Sequence, residues 1–219
     1  MTGRTVLVFG AGGALGGGVA AAFHDAGARV TGIDLAQPAP AHRVHGITYA
    51  AHDVQDEAAL AAVLSAAAPW AVVNTIGGFA GYRPLAELDA AELMGQIELN
   101  LMTAALITKH ALAAMAPAGA GRIVHTASRA ALVTKGSGFA YSVTKAAVLH
   151  LVAMAAEEVR GTNITVNCVV PSIIDTPANR SAMPDADHEA WPKVAEIARA
   201  YLFLASPGSG LINGANVPV

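Results

Sequence analysis

The feature that most constrains the fold is a short apolar run followed directly by a glycine-rich turn. Thr5–Phe9 reads TVLVF, and a continuous apolar run of this length is typical of a strand buried on both faces of a parallel sheet. Residues 10–16 (GAGGALG) follow, and a helix is predicted over residues 15–26, with Gly27 as its C-terminal cap. A buried strand, a tight turn and a helix in this order predict the start of a βαβ unit.

The rest of the chain alternates strand-like and helix-like segments. Strands are predicted at residues 28–33, 47–51, 70–75, 122–127, 164–170 and 211–217, and helices at 56–67, 89–115, 139–160 and 191–204. The alternation predicts a parallel sheet with helices on both faces, a Rossmann-like, doubly wound α/β fold in a single domain over residues 1–219. Residues 176–192, which are rich in Pro, Asp and Asn, follow a strand and are predicted to form a mobile substrate loop, or lid, over the site.

Composition excludes several other classes of protein. The chain has 219 residues, and its hydrophobic content of 54% is enough for a sizeable core. A net charge of −3 gives no basic surface for nucleic acid. The single cysteine, Cys168, excludes an internal disulfide, and with no signal-peptide pattern a cytoplasmic location is expected. Residues 58–82 carry no charge, but Pro69 interrupts them, so a helix followed by a buried strand is favoured over a membrane span.

The glycine-rich turn predicts a phosphate-binding site. A pyrophosphate must approach the backbone closely, and the amides and dipole of the following helix would hold its negative charge. Asp34 closes the second strand, where a carboxylate accepts hydrogen bonds from an adenosine ribose and repels a 2′-phosphate. NAD(H) is therefore favoured, and NADP(H) is not excluded. Candidate cofactor-binding residues in the turn are Gly10, Gly13, Ala14, Leu15 and Gly16.

The candidate catalytic groups begin with Tyr141 and Lys145, whose i, i+4 spacing puts them on one face of a helix. A free tyrosine has a pKa of about 10, and a nearby ammonium favours the phenolate, which suits Tyr141 to proton transfer. Ser128, at the end of the fifth strand, would hydrogen-bond the substrate oxygen. Asn100, inside the long helix, would hold a water that relays protons to Lys145. Alone, Tyr141 and Lys145 would also fit a surface pair, but the glycine turn, Ser128 and Asn100 favour a catalytic set.

These motifs resemble the short-chain dehydrogenase/reductase family over nearly the whole chain. The family's three-glycine pattern corresponds to Gly10, Ala14 and Gly16, so its middle glycine is replaced. The resemblance implies a catalytic tetrad of Asn, Ser, Tyr and Lys at the four positions named above. It also implies cofactor contacts by Tyr141 and Lys145 and by residues elsewhere in the chain, namely Asp53, Val54, Asn74, Gly77, Pro171 and Thr176.

Several loops are similar to dihydropteridine reductase within that family. These are residues 13–16, 77–81 and 175–180, with Met183-Pro184 after them. That subfamily prefers NADH and keeps the Tyr and Lys, but it lacks the Ser and Asn of the tetrad. Since this chain has both Ser128 and Asn100, the resemblance favours a small carbonyl/alcohol substrate over a dihydropterin.

The sequence thus predicts an NAD(H)-dependent reductase or dehydrogenase with no metal site. The alternatives are a dihydropteridine-reductase-like enzyme and a protein that senses NADH without turnover. By the family resemblance, a homodimer or homotetramer is expected through the helices at 89–115 and 139–160. No nucleic acid or membrane partner is expected.

Overall fold

Within residues 1–80, 84–133 and 138–219, which the computed structural model describes, seven parallel strands form one sheet. Their order across the sheet is β3-β2-β1-β4-β5-β6-β7. The strands are β1 (Thr5–Phe9), β2 (Arg29–Asp34), β3 (Thr48–Ala51), β4 (Ala71–Asn74), β5 (Ala120–Thr126), β6 (Asn163–Val170) and β7 (Asn216–Pro218). The chain order reverses between β1 and β4, so the crossover helices on either side diverge there and leave a crevice at the carboxyl ends of the strands. The predicted Rossmann-like fold is confirmed.

The helices cover both faces of this sheet. They are α1 (Ala14–Asp25), α2 (Glu57–Ala67), α3 (Ala90–Gln96), α4 (Thr103–Met115), α5 (Phe139–Glu158), α6 (Pro177–Ala182) and α7 (Val194–Ala205). Short 3₁₀ turns lie at Pro40–His42, Leu85–Glu87, Ala116–Ala118, Arg129–Ala131, His188–Ala190 and Pro207–Ser209. Gly27 ends α1 in the left-handed conformation (φ +82°), as expected of a C-terminal cap.

The sheet separates two apolar cores, which explains the continuous apolar strands. One core includes Leu60 of α2, Ile107 of α4 and Val152 of α5. The other includes Phe23 of α1 and Tyr201 of α7. Because both faces are covered, β1 is buried along nearly all its length.

The long helix predicted at residues 89–115 is interrupted in the structure. Asp89 caps its start by accepting a hydrogen bond from the Ala91 amide at 2.9 Å. Between α3 and α4, Ile97–Met102 forms a π-helical segment. Such wide turns are frequent at functional sites, and this one carries Asn100.

Two predicted elements differ from the structure. The last strand is only Asn216–Pro218, because Asn213 and Asn167 form the hydrogen bonds that a longer ladder would have formed: Asn213 accepts from the Val166 amide, and Asn167 accepts from the Ala215 amide. The predicted loop at 176–192 contains α6 and a 3₁₀ turn. Its helix forms because Thr176 caps it and Pro177 occupies the first helical position.

Two helical stretches, Ala90–Ala118 and Phe139–Glu158, are long and apolar enough to cross a membrane by length and composition alone. Residues from both stretches, such as Ile107 and Val152, pack in the core against the sheet. That packing accounts for part of their apolar character. The uncharged window at 58–82 folds as α2 and β4, as predicted, and its last two residues lie outside the described part of the chain.

Candidate active site

A cavity of about 1030 Å³ opens at the carboxyl ends of the central strands. Five segments line it: the turn after β1, the turn after β4, the end of β5, the first turns of α5 and the segment after β6. In chain order the lining residues are 10, 13–16, 75, 77–79, 126–130, 133, 141, 142, 145, 171–174, 176–179, 182 and 183. The crevice that the strand order predicts is therefore a real cavity, and most of the candidate residues lie on its wall.

The turn after β1 fits closely against the turn after β4. A Cβ on Gly16 would lie 2.1 Å from the Gly10 carbonyl oxygen, and one on Gly10 would lie 2.7 Å from Thr75 Oγ1. Gly10 also has a φ of +84°, which favours glycine. Gly13 is the N-cap of α1 and has no side chain to bind the first amides of the helix. These amides face the cavity edge and fit the pyrophosphate of a dinucleotide.

Asp34 lies beside this turn and fastens it. Its Oδ2 accepts a hydrogen bond from the Gly12 amide at 2.9 Å, and its Oδ1 accepts one from the Leu35 amide at 2.8 Å. Asp34 lies beyond the cavity wall, at the end of β2, where a ribose would extend from a pyrophosphate bound at α1. The carboxylate is partly exposed. Its arrangement is compatible with the predicted ribose contact.

Asp53 and Val54 follow β3, farther from the cavity. Asp53 is exposed, and its Oδ1 accepts a hydrogen bond from the Gln55 amide. The Val54 side chain is 4% exposed and belongs to the core beneath the sheet edge. Neither residue lines the cavity, so adenine binding by this pair stays a prediction.

Tyr141 and Lys145 lie together on the cavity wall contributed by α5. The Lys145 Nζ is 6.0 Å from the Tyr141 ring centroid and donates a hydrogen bond to the Thr126 carbonyl at 3.1 Å. Burial lowers the pKa of Lys145 to about 8, because the ammonium loses its hydration. The group is still charged at neutral pH. A buried ammonium in this position stabilises negative charge on the phenol oxygen more strongly than an exposed one would.

The edge of Phe79 packs against the Tyr141 ring, with centroids 5.2 Å apart and planes at 73°. This contact holds the phenol in place from the side of the β4 turn. The sequence indicated Phe79 only as part of a loop resemblance, and its contact with Tyr141 depends on the tertiary fold. Gly81, at the end of the same loop motif, lies outside the described residues.

Asn100 is buried behind the cavity wall, with 1% exposure. Its Oδ1 accepts from the Gly78 amide, and its Nδ2 donates to the Gly78 carbonyl, both at 3.2 Å. The same amide nitrogen lies 2.9 Å from Gln96 Oε1 and 3.3 Å from Thr144 Oγ1. Asn100 therefore fixes the backbone of the β4 turn. The water relay remains a prediction.

Gly77 lies against both the Lys145 ammonium and the Asn100 side chain. A Cβ there would lie 2.6 Å from Lys145 Nζ and 2.8 Å from Asn100 Oδ1. Its φ of +159° is close to extended backbone, so space rather than strain requires glycine. A side chain at Gly77 would force the Asn100 amide or the Lys145 ammonium to shift, so glycine lets the turn pass between them without moving either group.

Asn74 is buried and does not line the cavity, so its predicted contact with the cofactor stays a prediction. It is 3% exposed, its Oδ1 accepts from the Ile76 amide, and its Nδ2 donates to His125 Nδ1 at 3.3 Å. His125 Nε2 donates in turn to Thr108 Oγ1 at 2.8 Å. Burial lowers the pKa of His125 to about 4, so the ring is neutral and can accept from Asn74. This buried chain supports the β4 turn, and Thr75 and Gly77 form the wall instead.

Ser128 lies at the end of β5 on the cavity wall. Its Oγ accepts a hydrogen bond from the Ala130 amide at 3.2 Å, which orients the side chain. No acceptor for its hydroxyl proton is found in the described part of the chain. The hydroxyl is thus available to donate to a substrate oxygen.

Pro171 and Thr176 line the cavity from the segment after β6. The Thr176 hydroxyl oxygen accepts from the Asn179 amide at 3.2 Å, so its side chain caps α6 as well as facing the site. The lid, residues 176–192, begins here. Its residues 176–179 and 182–183 form one side of the cavity.

The two ends of the lid are joined at a neck. The Asp175 amide donates to the Pro192 carbonyl at 3.0 Å. Its carboxylate accepts from Arg180 Nη2 at 3.0 Å and from Lys193 Nζ at 2.9 Å. Arg180, and then Lys193, hold the pKa of Asp175 well below its usual range. This neck fixes the ends of the lid against the sheet.

Sequence reasoning missed the cavity residues Arg129, Val133 and Ile173. It also missed the neck pair Asp175 and Lys193, which lies outside the cavity wall. Arg129 follows Ser128 directly, so its place beside the site was available from the sequence. The others belong to irregular segments, whose side-chain directions depend on the completed fold.

Comparison with known proteins agrees with the fold. A family profile described as enoyl-(acyl carrier protein) reductase matches residues 10–219. The chain is 32% identical to cis-4-hydroxycyclohexanecarboxylate dehydrogenase of Sinomonas cyclohexanicum, over 99% of this chain and 94% of that protein. It is 30% identical to D-threitol dehydrogenase of Mycolicibacterium smegmatis, over 100% of this chain and 92% of that one.

A solved structure of a short-chain type dehydrogenase/reductase from Mycobacterium ulcerans superposes with a TM-score of 0.90 at 27% identity, covering 100% of this chain and 89% of the other. The chain belongs to the short-chain dehydrogenase/reductase family. It is an oxidoreductase that acts on CH–OH or C=O groups with a nicotinamide cofactor.

Proposed function

We propose that this enzyme prefers NAD(H) and interconverts a small carbonyl compound and its alcohol. The observation that carries the proposal is the shared cavity wall of Ser128, Tyr141 and Lys145, at one end of a glycine turn that fits a pyrophosphate. The two relatives named above, a hydroxycyclohexanecarboxylate dehydrogenase and a threitol dehydrogenase, support an alcohol or carbonyl substrate.

The side chains divide the proton chemistry between them. When bound, the nicotinamide gives or takes a hydride. Ser128 donates a hydrogen bond to the substrate oxygen and positions it, while keeping its own proton. Tyr141 transfers a proton at its phenol oxygen, and general acid–base help of this kind is typically worth ~10²–10⁴ in rate. The Lys145 ammonium, held by the Thr126 carbonyl, favours the phenolate form of Tyr141.

The first test replaces the proton donor. Tyr141→Phe keeps the ring that packs on Phe79 but removes the hydroxyl, so the rate on a panel of ketones and alcohols is expected to fall by ~10²-fold or more. Tyr49→Phe is the matched control, because that phenol lies on β3, away from the cavity wall. Equal turnover by the wild type and Tyr141→Phe would refute the mechanism.

Ser128 separates carbonyl reduction from the pterin alternative. Polarising a carbonyl needs its hydroxyl, so Ser128→Ala is expected to lose activity on ketones. A wild-type enzyme that reduces a quinonoid dihydropterin, with Ser128→Ala equally active on it, would favour the pteridine-reductase-like function. Tight NADH binding with no turnover of any substrate would instead favour a sensor of the cofactor.

Asp34 supports the preference for NAD(H). A carboxylate held by the Gly12 amide at the end of β2 would repel a 2′-phosphate. We expect kcat/KM with NADH to exceed that with NADPH, and Asp34→Ala to narrow the difference. A larger kcat/KM for NADPH in the wild type would contradict the assignment.

Self-association is also proposed, as a homodimer or homotetramer. Apolar side chains of the long helices and of the π segment between them are exposed in the described part of the chain: Met94, Leu99, Met102, Val143 and Met154. Burying such a face between subunits is favourable. We further propose a cytoplasmic location, which suits the single buried thiol of Cys168.

A further inference from the structure

Arg129 places a cation on the cavity wall next to the group that would hold the substrate oxygen. It directly follows Ser128 and begins the 3₁₀ turn Arg129–Ala131. Its backbone amide donates to the Pro171 carbonyl at 2.9 Å, which fixes the main chain at this point. The side chain is exposed and lines the cavity.

The Arg129 guanidinium has no counterion within the described residues. Arg160 and Arg180, by contrast, pair with Glu157 and Asp175. No aspartate or glutamate is found among the described residues that line the cavity. The other cation there, Lys145, is buried and occupied by the Thr126 carbonyl. The cavity thus carries positive charge that its own wall does not neutralise.

The cavity wall that Arg129 shares is mostly apolar. Its apolar side chains include Val133, Ile173 and Met183, together with small ones such as Ala182. A substrate that fills such a space removes water from the guanidinium, and a charge that loses water without gaining a partner is costly. Binding of an uncharged substrate would therefore be weakened by this desolvation. An anionic substrate would offset it by pairing with the guanidinium.

We infer that the substrate carries a carboxylate, which Arg129 binds while Ser128 and Tyr141 hold its carbonyl or hydroxyl oxygen. The substrate class is an oxo- or hydroxycarboxylic acid with an apolar body. Arginine suits this role, because its planar guanidinium donates two parallel hydrogen bonds to a carboxylate. The inference rests on the proposed function for the oxygen-binding end, but the carboxylate contact can be tested separately.

The kinetic test compares a keto acid with its neutral ester. The wild type is assayed with 4-oxocyclohexanecarboxylate and with its methyl ester, using NADH, beside Arg129→Gln, Arg129→Lys and Arg199→Gln. Arg199 is the matched control, because it is exposed on α7 and does not line the cavity. If Arg129 forms a charge-assisted contact with the carboxylate, Arg129→Gln should raise KM for the acid by about 10- to 100-fold. KM for the ester should stay the same. Arg129→Lys should retain part of the preference.

A binding test does not depend on turnover. Cyclohexanecarboxylate, which has no carbonyl to reduce, should raise the Tm of the wild type and of Arg199→Gln but not that of Arg129→Gln. Cyclohexanecarboxamide should raise none of them. NADH affinity, measured by its fluorescence, should be the same in all the proteins.

The outcomes separate the two proposals. Equal use of the acid and the ester by the wild type, or equal loss of both in Arg129→Gln, overturns the carboxylate inference and leaves the oxidoreductase proposal standing. A weaker NADH affinity in Arg129→Gln also overturns it, since Arg129 would then bind the cofactor. If no carbonyl or alcohol is turned over, the proposed function fails. The Tm shift then decides the carboxylate contact alone, and its absence overturns the inference.

Discussion

The glycine turn gives a sharp prediction, because two adjacent glycines of α1 differ in the space that a Cβ would find: Gly16 has none, and Gly17 has enough. In Gly16→Ala the new Cβ would lie 2.1 Å from the Gly10 carbonyl oxygen and 2.5 Å from Thr75 Oγ1. Real Cβ atoms do not approach closer than 3.0 Å, so the backbone must move by at least 0.9 Å (3.0 − 2.1). The Gly10 carbonyl cannot move freely, because it accepts a hydrogen bond from the Gly13 amide.

The matched control is Gly17→Ala. Its Cβ would meet the Ala11 carbonyl oxygen at 3.4 Å, an ordinary contact. Both substitutions gain about 1 kcal/mol from the higher helix propensity of alanine. Only Gly16→Ala also bears an overpacking cost, about 3 kcal/mol for a backbone contact of this kind. The net loss is about 2 kcal/mol, which in a chain of this size lowers Tm by roughly 4–8 °C.

The assay is thermal unfolding followed by circular dichroism, together with an NADH fluorescence titration. Gly16→Ala should unfold earlier and bind NADH at least about 10-fold more weakly, since a moved turn misplaces the amides that face the pyrophosphate. Gly17→Ala should have a Tm at or above that of the wild type. If Gly16→Ala matches Gly17→Ala in both measurements, the turn is not the rigid cradle inferred from its contacts.

Three further predictions concern charge and association. Burial lowers the pKa of Lys145 from 10.5 to about 8, so the unfolded state binds more protons between these values and wild-type stability rises with pH across this window. Lys145→Met should therefore be inactive, but its free energy of unfolding in urea should exceed that of the wild type by up to about 3 kcal/mol at pH 7. This gain should disappear near pH 10.5, and equal stability of the two proteins at pH 7 would contradict the buried charge. Asp175→Asn weakens the lid neck, because Arg180 and Lys193 lose their shorter ion pairs and keep only the longer ones with Glu189. KM should therefore rise several-fold with little change in kcat, and an unchanged KM would show that the neck does not shape the site. Met154→Glu puts a charge on an exposed apolar helix face and should shift light-scattering mass towards the monomer; a wild type that is already monomeric would refute the self-association.

The fold was predictable because its signals are local and repeated. The apolar run of β1, the glycine turn and the i, i+4 pair Tyr141 and Lys145 each depend on neighbours a few residues away. Their order alone implies which strand ends meet. That is why the cavity wall formed by Ser128, Tyr141 and Lys145 agrees with the sequence reasoning.

The rest depended on contacts between distant segments. Asn74 is directed towards His125 because β4 and β5 are neighbours with those residues in register, and nothing in the sequence near Asn74 indicates that direction. Likewise, neither helix propensities nor the residue pattern indicate the π segment around Asn100. The helix in the lid was missed, although its Thr176-Pro177 start is a recognisable cap.

The neck between Asp175 and Lys193 separates two parts of the molecule that have different tasks. Proton transfer needs Tyr141 and Lys145 at fixed positions on α5, whereas the lid beyond Thr176 has no predicted part in proton transfer or cofactor binding. Because the lid leaves and rejoins the body at one main-chain contact, from the Asp175 amide to the Pro192 carbonyl, its interior can change length and sequence without moving α5. Residues 177–191, between Thr176 and Pro192, can therefore be exchanged as a unit, and the corresponding segments of relatives with other substrates could be grafted at the same two ends.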